Sequence, residues 1–287
     1  RARNQLVLDF SRKEVVDSIF EQICKVLDKG NIEYVKWDMN RGLADIYSCG
    51  TEEQGKVLHD YVLGLYDFLE RLARRYPNIL IEGCSGGGGR FDAGMLYYTP
   101  QIWCSDNTDA VDRTKIQYGT SFGYPVSTVG SHVSAVPNHQ TGRVTSLATR
   151  NITAMAGTFG YELDLGRLSE EDKQEIRRQV ADYHRYAPLI QNGLYYRLTN
   201  PFEQQVGAWQ FISEDQSQVL ICAVMLEVHG NMPVNYVKPK GLKSGCMYRE
   251  QVSGRLYAAD ALMETGIPLP VTFGEYDAHQ MYFELDK

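Results

Sequence analysis

The sequence lacks the features that mark membrane proteins and nucleic-acid-binding proteins. No apolar run reaches the ~20 residues of a membrane-spanning helix, and the opening RARNQLVLDF is not followed by the apolar segment of a signal peptide. The net charge is -7, whereas nucleic-acid phosphates and anionic lipid surfaces attract basic proteins. We therefore expect neither a nucleic acid nor a membrane as a partner.

Cysteine and histidine are scarce and lack metal-binding spacing. The six cysteines form no CxxC pair, and the six histidines form no HExxH pair. The segment Ser105–Asp112 has the acidic look of a calcium loop, but Val111 and Gln117 stand where an EF-hand needs Gly and Glu. We expect free thiols in a reducing cytoplasm and no metal site.

Predicted strands alternate with predicted helices over the first two-thirds of the chain. Apolar residues recur at helical spacing after several of these strands, for example over Glu52–Arg75. This alternation indicates β/α units and a parallel sheet. The predicted strands lie at Leu6–Phe10, Tyr34–Asp38, Ile79–Ser85 and Ile102–Asp106, and within Pro125–Ala135 and Ile152–Leu163.

Capping boxes predict where helices start. Ser11 precedes Glu14 by three residues, and Ser169 precedes Asp172 by three residues. In such a box the serine side chain accepts a backbone N–H of the first helical turn. The second box opens a long charged helix predicted over Leu168–Ile190.

The pattern changes after about residue 195. Apolar and polar residues then alternate with period two, and no long helical pattern is present. We interpret residues 198–287 as an antiparallel β-sandwich domain and residues 1–197 as a separate α/β domain. About five strands precede the sandwich, whereas a (β/α)8 TIM barrel needs eight strands and typically about 250 residues. The predicted fold class is therefore a TIM barrel of which only the later strands are present, followed by the β-sandwich.

Polar side chains end several of the predicted strands. Lys36 and Asp38 end the Tyr34 strand, Glu82 and Cys84 the next, and Asp106 a third. Catalytic residues of a β/α barrel lie at this rim, and two carboxylates across one mouth suit glycoside hydrolysis. Lys36 points to the same side as Asp38 and would keep it ionised. A structural ion pair at the strand end explains the same residues, and the pattern leaves both readings open.

A glycine run follows the strand that carries Glu82. In GCSGGGGR the glycines would let the backbone approach a ligand closely. The run is neither a P-loop nor a dinucleotide-binding motif, because the spacing fails both. It predicts either a plain tight turn or a loop that cradles a sugar. His132 and His139 also lie near a strand end, where either could line the mouth or serve only a structural role.

These stretches together resemble glycoside hydrolase family 36, the bacterial α-galactosidases. The matching segments are RNQLVLDFSR, YVKWDMNR, CSGGGGRFDAGMLYYTPQIWCSDNTDA, IQYGTSFGYP, SHVSAVPNHQTGR and GTFGYELD, in the family's order. The resemblance implies a catalytic (β/α)8 barrel between an N-terminal β-domain and a C-terminal β-sandwich. It implies retaining hydrolysis of terminal α-1,6-linked galactose from melibiose and raffinose, without a metal or organic cofactor.

The resemblance also assigns roles to residues. Asp38, the aspartate of KWD, matches the nucleophile, and Asp106, the first aspartate of SDNTDA, matches the acid/base. Asp109 is the rival for the second role, and Asp106 is preferred because it directly ends its strand. The substrate contacts implied are Lys36 and Asn40 on the galactose, Cys84 and Gly87 near its 2-hydroxyl, Trp103 as a subsite wall, and Arg3 on a long loop over the sugar.

Some family features fall outside this sequence. An acidic pair that grips the galactose 4- and 6-hydroxyls lies on an early barrel strand, which would precede Arg1. We therefore expect the chain to work with the missing N-terminal half of the same enzyme, and as a homo-oligomer, a tetramer in the family. Alternatives that stay open are an α-N-acetylgalactosaminidase, a galactosyl-transferring relative, and a non-catalytic sugar-binding fragment.

Overall fold

The computed structural model describes residues 4–231, 233–271 and 274–286. Over these residues the chain divides into two compact units, of which the first ends at Trp103 and the second begins at Cys104. In the same described ranges, no helix is long and apolar enough to cross a membrane.

The first unit is built from parallel β/α repeats. Its strand β1 (Tyr34–Asp38) pairs with β2 (Leu80–Cys84), and β2 pairs with β3 (Gln101–Trp103), all in parallel. In this register Lys36 lies opposite Glu82 and Asp38 opposite Cys84, so the polar strand ends come together. The elements in chain order are α1 Lys13–Leu27, β1 Tyr34–Asp38, α2 Val57–Arg75, β2 Leu80–Cys84, α3 Ala93–Tyr98 and β3 Gln101–Trp103.

The core of the first unit lies between the helices and one face of this sheet. Phe68 and Leu69 on α2 are fully buried, and Trp37 packs against Phe68 with ring centroids 4.8 Å apart. Because side chains alternate along a strand, Trp37 faces the helices while Lys36 and Asp38 face the other side. Trp37 is therefore a packing residue.

The segment before α1 differs from the prediction. Residues 6–10 form no strand, and α1 starts at Lys13 with Arg12 at the N-cap position and no side-chain cap. The Ser11 hydroxyl instead donates to Asp9, and Glu14 accepts from the Arg12 guanidinium. The predicted capping box is wrong because a carboxylate and a guanidinium are stronger partners for these side chains than backbone N–H groups.

A glycine in the middle of α2 allows this segment to approach the helix. A Cβ on Gly64 would lie only 1.8 Å from the carbonyl oxygen of Phe10. Glycine inside a helix costs about 0.5–1 kcal/mol relative to alanine. At position 64 the helix carries a glycine nevertheless, because the Phe10 backbone passes too close to α2 for a Cβ atom.

The second unit begins with further β/α repeats. Strands β4 (Val129–Ser134) and β5 (Thr158–Glu162) pair in parallel, with His132 opposite Gly160. Ser169 caps α6 by accepting the Asp172 N–H at 3.1 Å, so the predicted serine cap is confirmed. The elements are α4 Ala110–Thr120, β4 Val129–Ser134, α5 Leu147–Ala154, β5 Thr158–Glu162 and α6 Glu170–Asn192.

One predicted strand of this unit is partly wrong. Residues 152–154, assigned to a strand from the sequence, form the end of α5, and β5 begins only at Thr158. The Ser146 side chain starts this helix by accepting the Thr149 N–H at 3.0 Å. A short apolar run fits a buried helix as well as a strand. Here the Ser146 cap favours the helix.

Antiparallel sheets complete the second unit. The elements are β6 Leu194–Arg197, β7 Val206–Ile212, β8 Gln218–Met225, β9 Tyr236–Val237, β10 Met247–Glu250, β11 Leu256–Ala258, α7 Ala259–Thr265, β12 Ile267–Pro268 and β13 Ala278–Leu285. Among the described residues, a six-stranded sheet has the order β11-β10-β13-β8-β7-β6, and β9 pairs with β12 in a two-stranded sheet.

The large sheet is covered on both faces. One face packs with Val237, Leu262 and Ile267 from the small sheet and α7. The other face packs with Met155, which directly follows α5, and with Leu189 of α6. The alternation expected here is therefore wrong for β7, which is buried along its whole length. The short helix α7 was also missed by the period-two interpretation.

Candidate active site

The candidate site is built at the carboxyl end of β1 and β2. Asp38 is the last residue of β1, and its carboxylate oxygen Oδ2 accepts the side-chain amide of Asn40 at 2.6 Å. The carbonyl oxygen of the same amide accepts the Gly86 N–H at 3.0 Å. Asn40 therefore connects the aspartate to the glycine run that follows β2.

The cysteines are free thiols, and Cys84 contacts Asp38 at this strand end. Burial raises the pKa of the Cys84 thiol to about 11, its hydrogen bond to the Asp38 carboxylate acts in the same direction, and the Gly87 N–H opposes both. Since the thiol keeps its proton at neutral pH, it can donate to the carboxylate. It is not a reactive thiolate.

The glycine run forms a tight turn. Gly86 and Gly87 have φ values of 54° and 82°, in the left-handed region that glycine adopts at no steric cost. The Ser85 N–H donates to the Gly87 carbonyl at 2.9 Å, and the Ser85 hydroxyl donates to the Met39 carbonyl at 2.6 Å. The turn places the Gly87 N–H beside Cys84, and its role in holding a sugar stays a prediction.

Lys36 pairs with a different carboxylate from the one expected. Its Nζ lies 3.1 Å from Oε1 of Glu82 and 4.8 Å from the centre of the Trp103 ring. The expectation that Lys36 balances the charge of Asp38 is corrected accordingly, because the parallel register sets Lys36 directly opposite Glu82. The lysine side chain as a whole is 40% exposed.

Glu82 is the buried anchor of this cluster. Its carboxylate is 1% exposed, and besides Lys36 it accepts the Tyr34 hydroxyl and the Gln101 amide, the latter at 2.9 Å. These partners come from β1 and β3, the two strands that flank β2. Glu82 therefore fixes where Lys36 stands relative to the strand ends.

In the second unit, the two candidate aspartates have different environments. Asp109 is 2% exposed and caps α4, accepting the Val111 and Asp112 N–H groups at 3.0 and 2.9 Å. It also accepts the Thr141 hydroxyl at 2.8 Å and pairs with Arg143. Its carboxylate is thus occupied by structural contacts, whereas Asp106 is only partly buried.

The SHVSAVPNHQTGR segment supports the loop that carries Asp106. The Gln140 amide donates to the Asp106 carbonyl oxygen at 3.0 Å, and the Asn138 amide donates to the Thr108 hydroxyl at 3.1 Å. His139 is exposed and His132 lies 4.0 Å from the Glu162 carboxylate. The segment acts here through its amides, and a role for either histidine in the mouth stays a prediction.

Comparison with known proteins then decides the family. Residues 1–193 match the Melibiase family, and residues 206–283 match the glycosyl hydrolase family 36 C-terminal domain. The chain belongs to glycoside hydrolase family 36. It is 60% identical over 283 residues to the bifunctional α-galactosidase/sucrose kinase AgaSK of Mediterraneibacter gnavus. The aligned region covers 99% of this chain and 30% of AgaSK.

Solved structures show the same relationship for this family 36 chain. The crystal structure of the family 36 α-galactosidase AgaA of Geobacillus stearothermophilus superposes with a TM-score of 0.97 at 48% identity, covering 100% of this chain and 40% of AgaA. An AgaA variant in complex with raffinose superposes equally, with the same coverage. The match confirms the predicted fold class, and the chain spans less than half the length of these relatives.

The structure brings together most of the site residues predicted for the first unit. Asp38, Asn40, Cys84 and Gly87 form one contact network, and Lys36 and Trp103 form a second beside Glu82. Asp106 lies in the second unit. Arg3 lies outside the described residues.

The sequence analysis missed Arg90, which holds the ends of β1 and β2 together. Arg90 donates to the Cys84 carbonyl at 2.7 Å and to the Trp37 carbonyl at 3.4 Å, tying β1 to β2. Burial lowers the pKa of its guanidinium. The one signal for Arg90 was its place at the end of GCSGGGGR, where a charged residue follows a buried strand and its turn. For the described residues, no group of three or more His, Cys, Asp or Glu side chains could hold a metal ion.

We expect Glu82→Gln to destabilise the protein by about 2–4 kcal/mol. The amide presents an N–H where the carboxylate accepted a donor, so a buried hydroxyl or amide loses its acceptor. The ion pair between Glu82 and the partly exposed Lys36 adds little to this loss of stability. The measurement is urea unfolding of the complete polypeptide followed by tryptophan fluorescence.

Glu70→Gln is the matched control for that substitution. Glu70 pairs with Arg74 at 2.6 Å on the surface of α2, and removing such a pair changes stability by about 0.5 kcal/mol or less. Equal unfolding midpoints for the two variants would show that Glu82 does not anchor the cluster.

Proposed function

We propose that this chain is the nucleophile-bearing part of a retaining exo-α-galactosidase acting on terminal α-1,6-linked galactose, as in melibiose and raffinose. Membership of family 36 supports the reaction class, and the AgaA complex with raffinose supports the substrate class. The single observation that carries the proposal is Asp38 at the end of β1, held by Asn40 and Cys84 with Lys36 on the same face.

Asp38 is the proposed nucleophile. Its Asn40 and Cys84 hydrogen bonds orient the carboxylate, so one oxygen attacks the anomeric carbon as the glycosidic bond breaks. The leaving oxygen takes a proton from Asp106, the proposed acid/base. A galactosyl ester on Asp38 results. Water, deprotonated by Asp106, then attacks the anomeric carbon, displaces the Asp38 carboxylate and releases galactose with retained configuration.

The neighbouring residues are proposed to bind the sugar. The Lys36 ammonium, anchored by Glu82, donates to galactose hydroxyls, and Trp103 beneath it forms a subsite wall. Cys84 and the Gly87 N–H line the position of the 2-hydroxyl. Asn40 and Arg3 complete the proposed set of contacts. No metal or organic cofactor enters this mechanism.

The surroundings of the chain are also proposals. Because relatives are more than twice as long, we propose that the chain works with an N-terminal part that supplies the earlier barrel strands and the carboxylates for the 4- and 6-hydroxyls. We further propose that a separate domain begins at residue 198, that the protein is a homotetramer and that it is located in the cytoplasm. The boundary rests on the change of pattern after about residue 195, the tetramer on the family resemblance, and the location on the sparse cysteines.

The test measures intact mass and activity on one sample. We expect the complete polypeptide to release galactose from raffinose and from nitrophenyl α-galactoside, with the α-anomer appearing first by NMR. The 287-residue chain alone should be inactive. Faster cleavage of nitrophenyl α-N-acetylgalactosaminide would favour the aminidase alternative. Sugar binding without hydrolysis would favour a non-catalytic protein, and a β-anomer would contradict retention.

A further inference from the structure

Arg113 holds the loop around Asp106 from within the protein. It lies in the first turns of α4 and is 3% exposed. Its Nη2 donates to the Ser105 carbonyl at 2.9 Å, and its Nε donates to the Asn107 carbonyl at 2.7 Å. These two acceptors directly flank Asp106 in the sequence. One guanidinium therefore fixes the backbone on both sides of this aspartate.

The same side chain ties the loop to the neighbouring strand. Its Nη1 donates to the Gly130 carbonyl at 3.1 Å, on β4, and to the Cys104 Sγ at 2.9 Å. Burial lowers the pKa of the Arg113 guanidinium, and taking such a charge out of water costs several kcal/mol unless its hydrogen bonds are satisfied. A cost of this size is unusual for a residue that merely fills space.

Only arginine fits these acceptors. They lie in different directions around one planar group, and arginine presents five donors in a rigid fork. Lysine keeps the positive charge but offers its three donors from a single point. Replacing Arg113 by lysine thus removes the geometry while retaining the charge.

We infer that Arg113 is a positioning residue for Asp106, setting the place from which this carboxyl group protonates the leaving oxygen. The inference rests on the proposed function, in which Asp106 is the acid/base. The Gln140 amide on the Asp106 carbonyl holds the remaining side of the loop. Displacing a catalytic group by about 1 Å can cost about 10²-fold in rate.

The test is the dependence of rate on the leaving group, measured in the complete polypeptide. Raffinose needs a protonated leaving oxygen, whereas a dinitrophenolate leaves without one. For Arg113→Lys we expect kcat/KM on raffinose to fall about 10–100-fold more than kcat/KM on dinitrophenyl α-galactoside. A purely structural defect lowers both rates alike by reducing the amount of active enzyme.

Arg150→Lys is the matched control. Arg150 is a partly buried arginine of the same unit, its pKa lowered by burial, and it donates to the Ser134 carbonyl at 2.5 Å. We expect its substitution to leave the ratio of the two rates unchanged. Asp106→Ala is the reference that must show the full leaving-group effect.

The outcomes separate the inference from the proposed function. If Asp106→Ala shows no leaving-group effect, the acid/base assignment fails. If Asp106→Ala shows it and Arg113→Lys does not, Asp106 stands and the positioning role is overturned. Should Arg113→Lys not fold, Cys104→Ala removes one acceptor of the guanidinium. A several-fold change of the ratio in the same direction then supports the inference, and an unchanged ratio overturns it.

Discussion

Asp38→Asn in the complete polypeptide is expected to lower kcat on every galactoside by at least about 10⁴-fold, the scale of losing a nucleophile. The amide keeps the size of the carboxylate, and its oxygen can still accept the Cys84 thiol, but it cannot form the galactosyl ester. Sugar binding should therefore survive. Kinetics with nitrophenyl α-galactoside give the rate, and calorimetry with galactose gives the binding.

A smaller side chain sharpens this test. In Asp38→Gly the space left by the carboxylate admits azide, which would attack the anomeric carbon from the nucleophile's side and yield β-galactosyl azide. Asp67→Asn is the control, because Asp67 lies on α2 with its side chain 57% exposed, in a surface pair with Arg71 at 3.2 Å. It should keep activity within about twofold. Substantial turnover by Asp38→Asn would remove Asp38 from the mechanism.

Asp106→Ala and Asp109→Ala are expected to fail in opposite ways. Asp106→Ala should cut kcat/KM on raffinose by about 10²–10⁴-fold, with a much smaller loss on dinitrophenyl α-galactoside and stability almost unchanged. Asp109→Ala removes the cap of α4 and leaves Arg143 without this partner. It should lower stability by about 3 kcal/mol.

Paired measurements decide between the two aspartates. Thermal unfolding and the rates on both substrates are measured for each variant in the complete polypeptide. A leaving-group effect in Asp109→Ala, together with normal raffinose hydrolysis by Asp106→Ala, would reverse the assignment. Loss of stability in both variants without any leaving-group effect would leave neither residue as the acid.

The sequence predicted the parts of the site that depend on one strand. An apolar run closed by Lys36 and Asp38 marks a strand end on its own, and β1 lies over Tyr34–Asp38 as predicted. The partner of Lys36 depends on the register between strands, which periodicity does not contain. Register places Glu82 opposite the lysine, so the ion pair expected with Asp38 is made elsewhere.

Contacts across loops were also beyond the sequence. The four acceptors of Arg113 come from two segments whose paths are set by the whole unit, and no spacing rule identifies such an arginine. Helix-capping rules failed where neighbouring charged side chains compete with the backbone for the capping residues. Ser11 and Glu14 match a capping box, but Asp9 and Arg12 occupy them, whereas Ser169 caps α6 as expected.

The approach of the Phe10 carbonyl to Gly64 has a consequence for building chimeras. Because a Cβ at position 64 would overlap that oxygen, the path of the segment before α1 and the identity of residue 64 must be inherited together. An exchange between relatives that joins one protein's residues 5–12 to another's α2 would force the backbone off the helix wherever residue 64 is not glycine. Crossover points for recombining such enzymes therefore belong before residue 5 or after α2, so that both members of the contact come from one parent.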